Sequence, residues 1–276
     1  RDVRSLIDEM LLVTAAAEIS TMRRAADISA GAHRRAMRSA RPGAFEYEIE
    51  AELIHEFRRH GSQAPAYTSI VASGPGACVL HYIENDRQMQ DGELLLIDAG
   101  CELDGYASDI TRSFPVNGRF SGPQKAVYEL VLAAQAAAIA EIRPGASWNA
   151  GHDAATRVLT QGFIDLGLIK GSLDDAIESG SYRQFYMHRT GHWLGLDVHD
   201  AGEYKLAGEW RTLAAGNVLT VEPGAYIRPA DGVPEAFWNI GIRIEDDALV
   251  TDTGCDIITI ATPKSVADIE AVMAER

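Results

Sequence analysis

The chain has 276 residues and a mass of 29.9 kDa, enough to bury a core without disulfides or other staples. Hydrophobic residues at 46% and charged residues at 24% are ordinary globular values, which excludes disorder, collagen-like repetition and low complexity and predicts a soluble folded protein. Lys and Arg total 25 against 40 Asp and Glu, a formal charge of −15; such a surface repels nucleic-acid phosphates and anionic lipids, although part of the excess can serve metal ions instead.

The start, Arg1-Asp2-Val3-Arg4, carries no hydrophobic leader core, and the lack of an initiating Met suggests that something upstream was removed. From Thr14 to about Ala40 good helix formers dominate, with Ile19, Met22 and Ala26 on one face, and Arg41-Pro42-Gly43 ends the helix. Phe45 to Leu53 alternates like a strand, yet its continuation through Ile54 and Phe57 to Gly61 has helical composition, so a helix is predicted. A second long helix, about Gly122 to Ile142, stops at Arg143-Pro144-Gly145, and a further helix follows over roughly 147–166. The longest charge-free apolar run, Leu130 to Ala140, is far shorter than the about 20 residues that a bilayer requires, so no membrane segment is expected. Cys78, Cys101 and Cys255 are widely spaced without a CxxC pattern, which predicts a reducing compartment, the cytoplasm, and argues against a thiolate metal site.

The order helix, Arg-Pro-Gly, helix thus occurs twice, and the strands echo one another as well. Leu94-Leu95-Leu96-Ile97-Asp98-Ala99-Gly100 is matched by Val218-Leu219-Thr220-Val221-Glu222-Pro223-Gly224: a buried-type strand, a carboxylate, then a turn with Gly. A second acid follows in each case, Asp109 before Ile110-Thr111-Arg112 and Glu245 after Ile242-Arg243-Ile244. Three parallels in the same order predict a duplicated α+β unit, halves about 14–120 and 121–260 of a single domain; coincidence between common strand-turn patterns is the alternative. Four carboxylates converging at strand ends would be costly to desolvate, and the usual remedy is a pair of divalent ions about 3.5 to 4 Å apart. Taken singly, each acid is more simply read as a salt-bridging or turn-capping residue.

Three of the chain's eight histidines, His188, His192 and His199, fall within residues 188–199. His188 and His192 are spaced as in a helical zinc-protease motif, but Gly191, Gly195 and the lack of an adjacent Glu weigh against that alternative. The glycines are expected to allow close backbone approach to a ligand, with one histidine on metal and the others hydrogen-bonding a substrate carbonyl or developing oxyanion. Four oxygen ligands and one imidazole favour Mn²⁺, Co²⁺ or Fe²⁺, with Mn²⁺ first.

Asp98, Asp109, His192, Glu222 and Glu245, in that order and with these flanks, resemble the pita-bread-fold metallopeptidases, an α+β fold of two pseudo-symmetric halves around a curved antiparallel sheet. Within them the chain is most similar to the bacterial Xaa-Pro aminopeptidases (aminopeptidase P), from Met22-Arg23-Arg24-Ala25 through His192-Trp193-Leu194-Gly195-Leu196-Asp197-Val198-His199-Asp200 to Gly241-Ile242-Arg243-Ile244-Glu245-Asp246-Asp247. The resemblance implies two divalent ions, Mn²⁺ foremost with Co²⁺, Fe²⁺ or Zn²⁺ as alternatives. It implies that Asp98 chelates one, that Asp109 and Glu245 bridge both, and that His192 and Glu222 bind the other, with a hydroxide nucleophile between them. It further implies that Glu222 moves the proton, that His81, His188 and His199 orient substrate and stabilise the intermediate, and that Arg243 and Tyr226 steady the ligands.

The implied substrates are peptides with proline at the second position, neither nucleic acid nor membrane. Two departures stand out. Relatives carry an N-terminal domain before the segment matched by Arg1 to Met10, and subunit association into a homo-oligomer usually depends on it. Pro75-Gly76-Ala77 replaces a more polar turn before His81, which alters either the S1 side or only a loop. Prolidase and methionine aminopeptidase are the enzymatic rivals, and a metal-free binding module the non-enzymatic one.

Overall fold

Residues 3–275 are described by the computed structural model; Arg1 and Asp2, the first residues of the stretch read above for a leader, and Arg276 lie outside the described residues. Helices form where the apolar stripes lie: α1 Arg4–Leu11, α2 Ala16–Ser39, α3 Glu46–Arg59, α4 Gly122–Ala140, α5 Ala150–Asp165, α6 Leu173–Ser179 and α7 Val266–Met273. The ambiguous Phe45 segment is helical because Glu48 Oε1 accepts the Phe45 N–H at 3.2 Å, and Ile49, Leu53 and Phe57 then recur on one buried face. Both Arg-Pro-Gly tripeptides do end helices, with Gly43 and Gly145 at φ +87° and +79°, a conformation that a side chain would strain. Ser121 and Gln124 cap α4 reciprocally, at 3.4 and 3.0 Å.

Thirteen strands are described: β1 Ala64–Pro65, β2 Ile70–Ser73, β3 Leu94–Asp98, β4 Cys101–Leu103, β5 Tyr106–Ala107, β6 Thr111–Pro115, β7 Lys205–Leu206, β8 Glu209–Trp210, β9 Val218–Val221, β10 Gly224–Ile227, β11 Ile240–Arg243, β12 Asp246–Val250 and β13 Cys255–Ile257. Every pairing is antiparallel, which short turns permit. Hydrogen bonding divides the strands into five small sheets, the two that carry the site being β2-β3-β6 and β13-β12-β9. The helix pairs α2–α3 and α4–α5 cover them, and the side-chain amide of Gln135 on α4 donates to Val221 O and Ile244 O at 3.2 and 3.3 Å.

Register decides where the acids emerge. Asp98 at the end of β3 pairs with Thr111, the first residue of β6, while Val221 at the end of β9 pairs with Asp246, the first residue of β12. The two sheet ends abut, since Glu245 N donates to Thr111 O at 3.0 Å and Asp109 N donates to Asp247 Oδ2 at 3.1 Å. Beneath this seam lies Arg112, fully buried, whose five N–H groups meet Pro263 O, Thr111 O, Glu245 O, Asp246 Oδ1 and Thr262 O at 2.6 to 3.2 Å. Every donor of the guanidinium is therefore satisfied. No described helix is long and apolar enough to cross a membrane.

Candidate metal centre

A cleft of about 660 Å³ opens at the seam, and Asp98, Asp109, His192, Glu222 and Glu245 all line it. Two acids come from the first sheet end and two from the second. His192 is delivered by strand-like pairing: Thr220 N donates to His192 O at 2.9 Å and Glu222 N to Thr190 O at 2.8 Å. Residues 188–192 are not helical, so the helical zinc-protease alternative does not hold. The glycines also act differently from expectation. A Cβ on Gly191 would stand 2.1 Å from Thr220 O, and one on Gly195 2.0 Å from Asp200 Oδ2, so both permit close approach of the chain to itself rather than to a ligand.

Asp109, His192 and Glu245 each offer a ligand atom, all within 4.8 Å of one another. His192 Nδ1 donates to Trp193 O at 2.9 Å, which in the neutral ring leaves the Nε2 lone pair facing Asp109 Oδ2 at 3.3 Å and Glu222 Oε1 at 3.8 Å. Burial and the Asp98 charge push the Asp109 carboxyl above its usual range. Burial and the same crowd of acids raise Glu222 to about 7 and Glu245 well above an ordinary glutamate. Burial works against a charged His192, but the Asp109 hydrogen bond and charge outweigh it and lift the imidazole to about 9. These shifts describe a cluster short of positive charge, and its oxygen-rich donor set with one imidazole fits divalent cations.

Asp98 is the exception. Burial opposes its ionisation, but Arg243 Nη2 at 2.6 Å and Tyr67 Oη at 2.6 Å hold its carboxyl below the usual range. Arg243 also donates from Nε to Thr111 Oγ1 at 3.1 Å and from Nη1 to Tyr226 Oη at 3.0 Å, and Tyr226 donates in turn to His188 Nε2 at 2.8 Å. His188 Nδ1 is taken by Arg189 O at 2.7 Å, so both ring nitrogens of His188 are engaged within the chain, and burial lowers its pKa to about 3. By contrast His81 and His199 line the cleft, are exposed and make no hydrogen bond to a described residue. His199 packs edge-on against His192, ring centroids 4.3 Å apart, and the partial desolvation of its ring against the cleft wall together with that neighbour's charge lowers its pKa.

Several residues at the site carry no sequence signal of their own. Tyr67 donates to Asp98 Oδ1 and sits 2.5 Å from Asp109 Oδ1, and Thr111 donates to Glu245 Oε2 at 2.6 Å. His152 on α5 and Tyr186 share Thr190 Oγ1 at 2.9 and 2.5 Å, bracing the turn between His188 and His192. Trp148, Tyr204 and Trp210 form an aromatic wall of the cleft. A lone Tyr, Thr or His has no periodicity that betrays its partner.

Residues 20–252 match the profile of metallopeptidase family M24. The chain is 53% identical over 272 residues to the Xaa-Pro aminopeptidase of Haemophilus influenzae, covering 99% of this chain and 63% of that protein. Identity to the Xaa-Pro aminopeptidase of Escherichia coli is 48%, covering 99% of this chain and 62% of the relative. Among solved structures, the aminopeptidase PepP of Pseudomonas aeruginosa superposes with a TM-score of 0.97 at 56% identity, covering 98% of this chain and 61% of the other. Zinc-substituted E. coli aminopeptidase P in complex with product gives 0.97 at 48%, with coverages of 99% and 62%. The chain therefore spans somewhat less than two thirds of the length of these relatives. On this evidence it belongs to metallopeptidase family M24 and has the pita-bread fold.

Proposed function

We propose that the chain is the catalytic domain of an Xaa-Pro aminopeptidase, which hydrolyses the bond between an N-terminal residue and a following proline. The observation that carries this reading is the convergence of four carboxylates, Asp109 and Glu245 buried and Asp98 and Glu222 partly so, and His192 on one cleft, in a chain 48% identical to the Xaa-Pro aminopeptidase of E. coli. Asp98, Asp109, His192, Glu222 and Glu245 would hold two divalent ions, Mn²⁺ first and Co²⁺, Fe²⁺ or Zn²⁺ as alternatives. Ions bound there would supply a water of lowered pKa and polarisation of the scissile carbonyl. Glu222 takes the proton of the attacking water and returns it to the departing proline nitrogen. His81 and His199, with imidazoles free of intramolecular hydrogen bonds, stabilise the developing oxyanion. His188, its nitrogens occupied, presents its ring to the substrate, and Arg243 with Tyr226 fixes Asp98 and that ring. A single domain of two halves, 14–120 and 121–260, and a cytoplasmic location complete the reading.

The test uses metal-stripped protein reloaded with Mn²⁺, given Xaa-Pro-Yaa-Zaa and the dipeptide Xaa-Pro in parallel, with products read by mass. Release of only the first residue of the longer peptide is the expected result. Cleavage of the dipeptide alone makes the protein a prolidase. Two bound metals without cleavage of either overturns the reading for this chain.

A further inference from the structure

We propose that Glu46, at the first turn of α3, is a positioning residue that fixes the His81-bearing segment against the cleft; the role of His81 rests on the function proposed above. Glu46 is fully buried, yet among the described residues no cationic side chain forms an ion pair with it. Instead its carboxylate accepts four hydrogen bonds. Oε1 takes Ser73 N and Ser73 Oγ, both at 2.7 Å, and Oε2 takes Tyr82 Oη at 2.7 Å and Arg87 N at 3.0 Å. Its own backbone N–H donates to Arg87 O at 3.0 Å.

The placement of these donors gives the inference its content. Ser73 closes β2 and Arg87 pairs back with Glu46, so Glu46 ties the two ends of residues 74–86, the segment that carries His81. Tyr82, the neighbour of His81, is tied as well. Between the anchors the stem is held by Ala77 and Cys78, which are buried, and by Arg228, which donates to Cys78 O, whereas Val79, His81 and Ile83 beyond it are exposed. A second clamp comes from the same helix face, for Asn85 Oδ1 accepts Val71 N at 2.9 Å while Asn85 Nδ2 donates to Ser69 O at 2.9 Å and Glu50 Oε2 at 3.1 Å. Glu46 and Glu50 are one turn apart and share that face. The first turn of a helix favours a carboxylate through its unpaired N–H groups, which makes Glu46 a stable anchor without a counter-ion. The unusual Pro75-Gly76-Ala77 turn belongs to the same segment and packs inward, its Ala77 O 2.1 Å from where a Cβ on Gly241 would lie.

Glu46→Gln keeps size and acceptor at Oε1 but turns an amide N–H toward the Arg87 N–H, so one anchor is lost. The expected result is a fall of about 10- to 100-fold in kcat on an Xaa-Pro peptide, with KM, bound metal and melting temperature little changed. A residue that acts through His81 is silent once His81 is gone. In the His81→Ala background Glu46→Gln is therefore expected to cost less than about twofold. Equal losses in both backgrounds, or a loss that tracks metal content or unfolding, overturn the proposal. Tyr82→Phe removes one donor and leaves Glu46 in place; a partial loss, again absent in His81→Ala, is expected, and no effect from either variant refutes the clamp. Imidazole ¹⁵N resonances provide a readout independent of turnover. Glu46→Gln should broaden or split the His81 signal and leave those of His55 and His60 unchanged, and an unaltered His81 signal sinks the proposal even if the wild-type chain cleaves no Xaa-Pro peptide.

Discussion

Replacing Arg112 tests whether the seam between the two sheets that carry the site is held by buried polar contacts as much as by apolar packing. Arg112→Met keeps much of the volume and removes the guanidinium that spans β6 and β12. Asp246, fully buried, then retains Lys264 Nζ at 2.8 Å, Gln135 Nε2 at 3.1 Å and Thr259 Oγ1 at 2.8 Å, which moderates the loss. Breaking one partner from a buried pair costs about 3–5 kcal/mol, and each buried carbonyl left without a donor about 1–3 kcal/mol. Thr111 O keeps the Glu245 N–H, but Glu245 O, Pro263 O and Thr262 O lose a donor. Because Asp246 keeps Lys264 and two further donors, the pair term is small and the orphaned carbonyls set the scale, a destabilisation of about 4–6 kcal/mol, a large part of the 5–15 kcal/mol that typically holds a domain together. Arg112→Lys keeps the charge but offers three donors to five acceptors, so an intermediate loss of about 2–3 kcal/mol is expected. Urea unfolding followed by tryptophan fluorescence measures both. Losses below about 1 kcal/mol in each variant would show that the fork contributes specificity without stability and refute the reasoning.

Asp109→Asn and Glu245→Gln each remove a charge from the centre of the cluster and are expected to abolish turnover while circular dichroism stays native; activity in the purified, metal-replete variants tests this. His199→Ala is expected to lower kcat by about 10²-fold with KM nearly constant, because an oxyanion contact acts in the transition state; steady-state kinetics that place the loss in KM alone would contradict it. Burial lowers the His33 pKa to about 4 from an ordinary 6.5, so the unfolded chain binds the extra proton between those values. Its contribution is full above pH 6.5 and is lost as the pH falls toward 4, worth about 3 kcal/mol across that window. His33→Gln is expected to flatten this limb of the stability curve; an unchanged slope in urea titrations between pH 4 and 7 counts against it.

The acids of the site were legible in the sequence because each follows a recognisable strand or precedes one, and a run such as Leu94 to Ile97 has no surface reading that would leave Asp98 harmless. The helices were legible from composition and from the two Arg-Pro-Gly stops. What stayed hidden depends on partners distant in the chain. Tyr67 matters because β2 lies beside β3, and Thr111 because Glu245 lies 134 residues later. Glu46 was concealed by its local fitness: an acid in the first turn of a helix needs no further reason. Arg112 stood in view beside Thr111, but a strand residue can face either side of a sheet, and only the packing shows that it points inward. The glycines around His192 were seen for their freedom, while what they accommodate, the Thr220 carbonyl and the Asp200 carboxylate, emerges only in three dimensions.

The seam itself has a mechanical meaning. Asp98 and Asp109 stand on one sheet end, Glu222 and Glu245 on the other, and the backbone contact closing the gap above Arg112 is a single hydrogen bond from Glu245 to Thr111. Like charges facing each other across a joint act as a compressed spring. Cations seated among them reverse the sign of that force and turn the joint into a rivet, so that whatever affinity the site has for its ions is also cohesion between the two sides of the molecule. The same four carboxylates that equip the cleft for chemistry would thereby add to its rigidity once filled.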